Sequence, residues 1–177
     1  MALSTFEGPV KSLGGFYSPG PNTVINLANG TNTVTLDVPT YAGKVIRTND
    51  ATLVITLPTI VTTASATSAG PGTDPNTLNN IGTSYTFFIE TAATTLNIVT
   101  DGTDKFVGSL LMVATDAAGA TTGYAPGAAN DFIKLNGTTT GGIAGSWITC
   151  TVLAANKYYV TGVLLGSGTV ATPFADS

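Results

Sequence analysis

The sequence predicts an all-β fold, and three observations carry that prediction: apolar side chains recur with period two, their runs are rich in β-branched and aromatic residues, and Gly, Pro, Asn and Asp clusters divide them. Successive strand residues point to opposite faces of a sheet, so this alternation is what a half-buried strand requires. Residues 32–38, NTVTLDV, set Val34, Leu36 and Val38 on one face and Thr33, Thr35 and Asp37 on the other, with Pro39 ending the run. Residues 43–48, GKVIRT, read as the next strand and turn at Asn49-Asp50. Residues 51–57, ATLVITL, put Leu53, Ile55 and Leu57 inward, and Pro58, with no N–H for a ladder, closes them. Further strands are predicted over 84–90, 95–99, 110–115 and 131–135. The clearest hairpin joins SWITCTVL at 146–153 to KYYVTGVLL at 157–165 through Ala154-Ala155-Asn156. About ten strands and no helix follow, hence an antiparallel β-sandwich, jelly roll or small barrel. No internal repeat of fixed period supports a solenoid.

The 177 residues suit one domain with its own core. Residues 1–21 read as an extended N-terminal arm and residues 22–177 as a single β-domain. In the arm, prolines 9, 19 and 21 hold the backbone open, and Phe6, Pro9, Phe16 and Tyr17 are the candidate anchors in a partner's grooves. Two stretches rich in turn residues, near 58–80 and 116–130, read as long loops, a length that in an assembly protein suits contact loops.

Charged residues make up only 9 % of the chain, against roughly 25 % in an ordinary soluble domain. Threonine, about a fifth of the residues, supplies the polar surface instead. Lys and Glu lose much rotamer freedom when an interface orders them, so a surface poor in both is suited to burial between subunits. A net charge of −4 with five scattered lysines excludes the clustered basic footprint of a nucleic-acid binder. No stretch approaches 18 apolar residues, and the N-terminal sequence has neither a basic leader nor an apolar core, so neither a membrane span nor secretion is expected.

The chain contains no histidine, which removes the commonest general base and every Ser-His-Asp or Cys-His arrangement. Cys150, the one cysteine, lies mid-strand and is expected to be a small buried hydrophobe. Asp101 and Asp104 in TDGTDKF are the one close acidic pair; they fit turn chemistry and lack the further ligands of a calcium loop. Gly141, Gly142 and Gly145 match no phosphate-binding motif and are expected to form the tight loop before residue 146. Asn29-Gly30 and Asn136-Gly137 are expected in turns, and Trp147, the one tryptophan, in the core. Neither an enzyme nor a cofactor or metal site is expected.

Residues 131–165 resemble the ending of small virion proteins of tailed bacteriophages. The matching residues are Ile133, Leu135, Asn136 and Gly137, then Gly145, Ser146 and Ile148, then Lys157, Tyr158, Val160 and Gly162. The segment FEGPVKSLGGF, residues 6–16, is similar to openings of virion proteins in marine phages, cyanophages among them. The resemblance implies a capsid decoration or cement protein: a β-rich structural protein, often trimeric, that binds outside a shell of major capsid protein and braces it. It therefore implies the major capsid protein and further copies of this chain as partners, and the outer surface of a virion built in the host cytoplasm as location. Tyr158 stands where such strands often carry Trp, a departure that leaves room for a head-fibre or tail-fibre domain binding host glycans.

Overall fold

A computed structural model describes residues 24–27, 33–63, 75–116, 119 and 121–176. They form thirteen strands: β1 (Val24–Leu27), β2 (Thr33–Thr35), β3 (Lys44–Thr48), β4 (Thr52–Thr56), β5 (Ser84–Ile89), β6 (Thr95–Val99), β7 (Lys105–Gly108), β8 (Leu110–Ala114), β9 (Thr121–Tyr124), β10 (Phe132–Leu135), β11 (Trp147–Ala154), β12 (Lys157–Gly166) and β13 (Phe174–Ala175). One larger sheet has the order β1-β3-β5-β11-β12-β8-β9, with β7 also on β12; a smaller one has the order β13-β10-β6-β4-β2. Two packed sheets with one continuous core make an all-β sandwich.

Three details differ from the sequence reading. The run 32–38 is a strand only over β2, because the Asp37 side chain accepts the Thr40 N–H at 2.8 Å and caps one helical turn, Val38–Tyr41, with Pro39 in its first positions. The stretch 116–130 is not wholly a loop, since β9 pairs antiparallel with β8. The third concerns topology. Among the described residues, six of the eleven strand pairings are parallel: β1 with β3, β3 with β5, β2 with β4, β4 with β6, and both β7 and β8 with β12.

Behind that mixed pairing lies a repeat that apolar alternation alone does not reveal. Val24 pairs with Val45 in the larger sheet and Thr33 with Val54 in the smaller, each 21 residues on. The chain thus crosses from one sheet to the other once per layer, as in a short solenoid: β1 and β2, then β3 and β4, then β5 and β6. Aligned at that step, residues 24–36 and 45–57 share Val24/Val45, Ile25/Ile46, Thr31/Thr52, Thr35/Thr56 and Leu36/Leu57. The third layer is displaced, with Lys44 paired to Tyr85, 41 residues on, because the excursion between β4 and β5 intervenes. A fourth layer, β10 and β11, runs antiparallel to β6 and β5, and β12 returns as a hairpin turned at Ala155-Asn156.

Core residues come from both sheets: Ile46, Tyr85, Phe87, Ile148, Cys150, Tyr158 and Val160 from the larger, Leu53, Ile55, Leu96, Ile98, Ile133 and Leu135 from the smaller. Each fully buried large side chain contributes about 1.5–3 kcal/mol of transfer free energy. Leu53, Ile55 and Leu57 all point inward, and Ile148, Cys150 and Val152 alternate inward along β11, as their period-two spacing predicts. No helix among the described residues is long and apolar enough to cross a membrane.

Candidate functional site

Alternation that buries one face of β5 and β11 also forces their remaining side chains outward. In SYTFFI two large residues are adjacent, so burying Phe87 turns Phe88 to solvent; burying Ile148 does the same to Trp147. Register then aligns them. Phe88 pairs with Trp147, Trp147 with Val163, and Val163 with Leu111, so one apolar row crosses four neighbouring strands on the outer face of the larger sheet. Phe88 is 39 %, Trp147 41 % and Leu111 42 % exposed. Trp147 is therefore a surface residue and not the core residue expected from sequence.

The surroundings of the row are nearly free of net charge. Arg47 continues it on β3 beside Phe88 and is ion-paired with Glu90, so the two charges cancel. The next row holds Thr86, Thr149 and Thr161, and the Thr86 and Thr149 hydroxyls share a hydrogen bond of 3.0 Å. Beyond it lie Ser84, Thr151 and Tyr159, the last also exposed. A sheet face of Thr hydroxyls and aromatic rings has little side-chain entropy to lose on contact and no stranded charge to desolvate.

Among the described residues, Cys150, Tyr158, Asp101 and Asp104 lie away from this row and are held in the fold. Cys150 is fully buried, and burial pushes its thiol far above the ordinary range, which keeps it un-ionised. Burial likewise raises the Tyr158 phenol, whose hydroxyl donates to the Pro58 carbonyl at 2.5 Å. Asp101 makes the expected turn, its Oδ1 accepting the N–H groups of Thr103 and Asp104 at 2.9 Å each. Burial opposes its charge, but those donors outweigh it and leave its carboxyl below the ordinary value. Asp104 is buried, and its Oδ2 accepts the Ile60 N–H at 2.9 Å. Burial raises its pKa, the Ile60 donor opposes this, and the negative charge of Asp101 adds to the rise. Lys105 donates to the Gly102 carbonyl at 2.7 Å and to Asp131 Oδ2 at 3.0 Å, closing the same turn. Among the described residues no three acidic or sulfur side chains gather as metal ligands would.

A recess of 410 Å³ lies between Lys105–Gly108, Pro126–Ala128 and Asn156–Lys157. It presents one carboxylate-neutralised lysine, Lys105, and one free of that neighbour, Lys157, with no acid–base pair along its lining. The Gly-rich segment expected as a loop connects β10 to β11, with Thr138 bridged to Gly141. Of the Asn-Gly pairs, Asn136 accepts the Thr138 and Thr140 N–H groups in a turn, whereas Asn29-Gly30 lies outside the described residues. Phe6, Pro9, Phe16 and Tyr17 also lie outside them.

The aromatic row has a sequence signal, namely adjacent large residues inside a strand, one of which must face outward; register with β12 and β8 has none. Compared with known proteins, the chain matches no family model, no curated protein and no solved structure.

Proposed function

We propose that this is a structural virion protein: a capsid decoration or cement protein that assembles as a homo-oligomer, trimeric by resemblance, on the outside of the major capsid protein shell and stabilises it. One observation carries the reading, the charge-neutral outer face of the larger sheet with Phe88, Trp147, Val163 and Leu111 in register. Such a face gains from contact with a protein surface through apolar burial, and it has no catalytic group to serve another purpose. The chain supplies no histidine for acid–base work, and its thiol is buried. The residue inventory therefore favours structural work over catalysis.

The test is occupancy on bare capsids. Replacing Phe88 and Trp147 by Ser leaves the core untouched, so the free protein keeps its fold by circular dichroism. If both rings are buried against a partner, the roughly two-fifths of each that is exposed in the free protein contributes on the order of 1 kcal/mol, and the double variant loses about tenfold or more in apparent affinity. Undiminished occupancy refutes this face as the contact.

A second reading, a head-fibre or tail-fibre domain binding host glycans, is favoured by one specific arrangement: the exposed Trp147 ring beside Phe88 with Arg47 next in register. Sugar rings stack on exposed aromatics while polar side chains fix their hydroxyls. Saturable quenching of Trp147 fluorescence by soluble oligosaccharide, abolished with Trp147→Ser, supports this reading over the first.

A further inference from the structure

The hairpin that joins β11 to β12 sets two lysines side by side. Lys157, the first residue of β12, is in register with Lys105, the first residue of β7, and neighbouring strands lie about 4.8 Å apart with paired residues on one face. Like charges opposite one another on a sheet work against its pairing, and an anion beside them relieves the repulsion. Lys105 has one: its Nζ reaches Asp131 Oδ2 at 3.0 Å, and the Asp131 side chain is buried, 1 % exposed. Lys157 is exposed and has no carboxylate at ion-pair distance among the described residues. Both lysines line the 410 Å³ recess, and we infer that this recess binds a carboxylate carried on a small apolar body, with Lys157 as the cation that holds it. This goes beyond the decoration reading and does not depend on it.

The walls of the recess are fixed by hydrogen bonds of the fold itself. On one side the turn at 127–130 is closed twice, by the Gly127 N–H donating to Asn130 Oδ1 at 2.6 Å and by the Asn130 N–H donating to the Gly127 carbonyl at 3.1 Å. The Asn130 carbonyl accepts the Phe106 N–H at 3.0 Å, which ties this turn to β7. On the other side Asn156 holds a φ of 59° at the hairpin tip, and its carbonyl accepts the Lys105 N–H at 3.0 Å. A ligand therefore has little ordering of the protein to impose. The volume falls at the small end of the roughly 300–1,000 Å³ usual for small-molecule sites. Val107, Pro126 and Ala128 offer apolar contacts to the body of the ligand. None of the described residues lining the recess is acidic, and Lys105 is already matched by Asp131, so the charge left to be met is the single positive one on Lys157. On a chain of net charge −4 such a spot selects an anion, and one carboxylate suffices.

Titration of the full chain followed by amide NMR tests the site, with hexanoate and N-acetyl-leucine as probes. The first stands for an acyl chain and the second for the C-terminal residue of a peptide, and the tighter of the two identifies the source. At least one gives saturable shifts centred on residues 105–108, 127–128 and 156–157. Acetate has the same charge and almost no apolar body, whereas the amide of the tighter probe has the body and no charge; each binds at least about tenfold more weakly. Lys157→Gln removes the charge from an exposed side chain and leaves the core intact, so the spectrum away from the recess is unchanged. It lowers affinity for the tighter probe by at least about tenfold, and Lys157→Arg, which keeps the charge, binds more tightly than Lys157→Gln does. No saturable shift with either probe overturns the inference, as do shifts centred on Phe88 and Trp147 instead. Equal binding of acetate or of the amide also overturns it, and so does an equal affinity of the Lys157→Gln and Lys157→Arg variants.

Discussion

Tyr158 is the residue that ties the excursion at 58–80 to the core. It is fully buried, and its hydroxyl meets the buried carbonyl of Pro58 where β4 ends. Tyr158→Phe keeps the ring and strands that carbonyl without a donor, so stability in urea falls by about 1–3 kcal/mol. Gly137 is fixed by a different constraint. Its φ is 73°, and a Cβ there would stand 2.1 Å from the Ala93 carbonyl oxygen. Gly137→Ala costs about 1–3 kcal/mol from the left-handed backbone alone, with the clash added, and is expected to lower the melting temperature more than Tyr158→Phe does. Asp104 carries a pH signature. Its folded pKa is raised, chiefly by burial, so its charged form destabilises the fold at neutral pH, and that penalty fades as pH falls through the raised value. Asp104→Asn preserves an acceptor for the Ile60 N–H and removes the charge. It should raise the melting temperature near pH 7 and lose that advantage in acid; a variant less stable at both pH values refutes the account.

At the scale of elements, the excursion at 58–80 is held at its neck by Asn80. The Val61 N–H donates to Asn80 Oδ1 at 3.0 Å, Asn80 Nδ2 donates to the Thr59 carbonyl at 2.9 Å, and the Asn80 N–H reaches the Val61 carbonyl. Asn80→Ala removes the two side-chain bonds at a cost of about 1–3 kcal/mol, and its effect is local. Limited proteolysis should cut within 58–80 many times faster while the sandwich survives as a folded core; unchanged cutting would show that the neck does not restrain it. The inward residues of this region were legible from sequence, since Leu53, Ile55 and Leu57 keep strict alternation up to Pro58. The one-turn helix at Val38–Tyr41 was not, because Val38 continues the alternation of Val34 and Leu36 and only the Asp37 cap breaks it. The repeat was hidden for a related reason: parallel stacking needs matched inward positions and not matched residues, so Leu27 aligns with Thr48 and Asn26 with Arg47. Short strands such as β1, β7, β9 and β13 draw their definition from a neighbour's ladder and leave no local run long enough to read.

For the whole molecule, one outer face of the larger sheet concentrates exposed rings while charge is sparse throughout, a distribution invisible until register is known. Composition made a charge-poor surface legible; it did not say which face would carry Trp147, whose strand buries Ile148 instead. That distribution sets the salt dependence expected of assembly. If attachment runs through the row of Phe88, Trp147, Val163 and Leu111, its free energy comes from apolar burial, which added salt leaves intact or strengthens. The charged pair beside the row among the described residues, Arg47 with Glu90, is already internally neutralised. Occupancy on capsids should therefore change by less than about threefold over a tenfold rise in ionic strength, although that rise shortens the screening length from about 10 Å at 0.1 M to about 3 Å. An attachment driven by the net charge of −4 would weaken steeply over the same range. Titrating bare capsids with the protein at the two ionic strengths separates the cases, and a steep loss at high salt would move the contact away from this face.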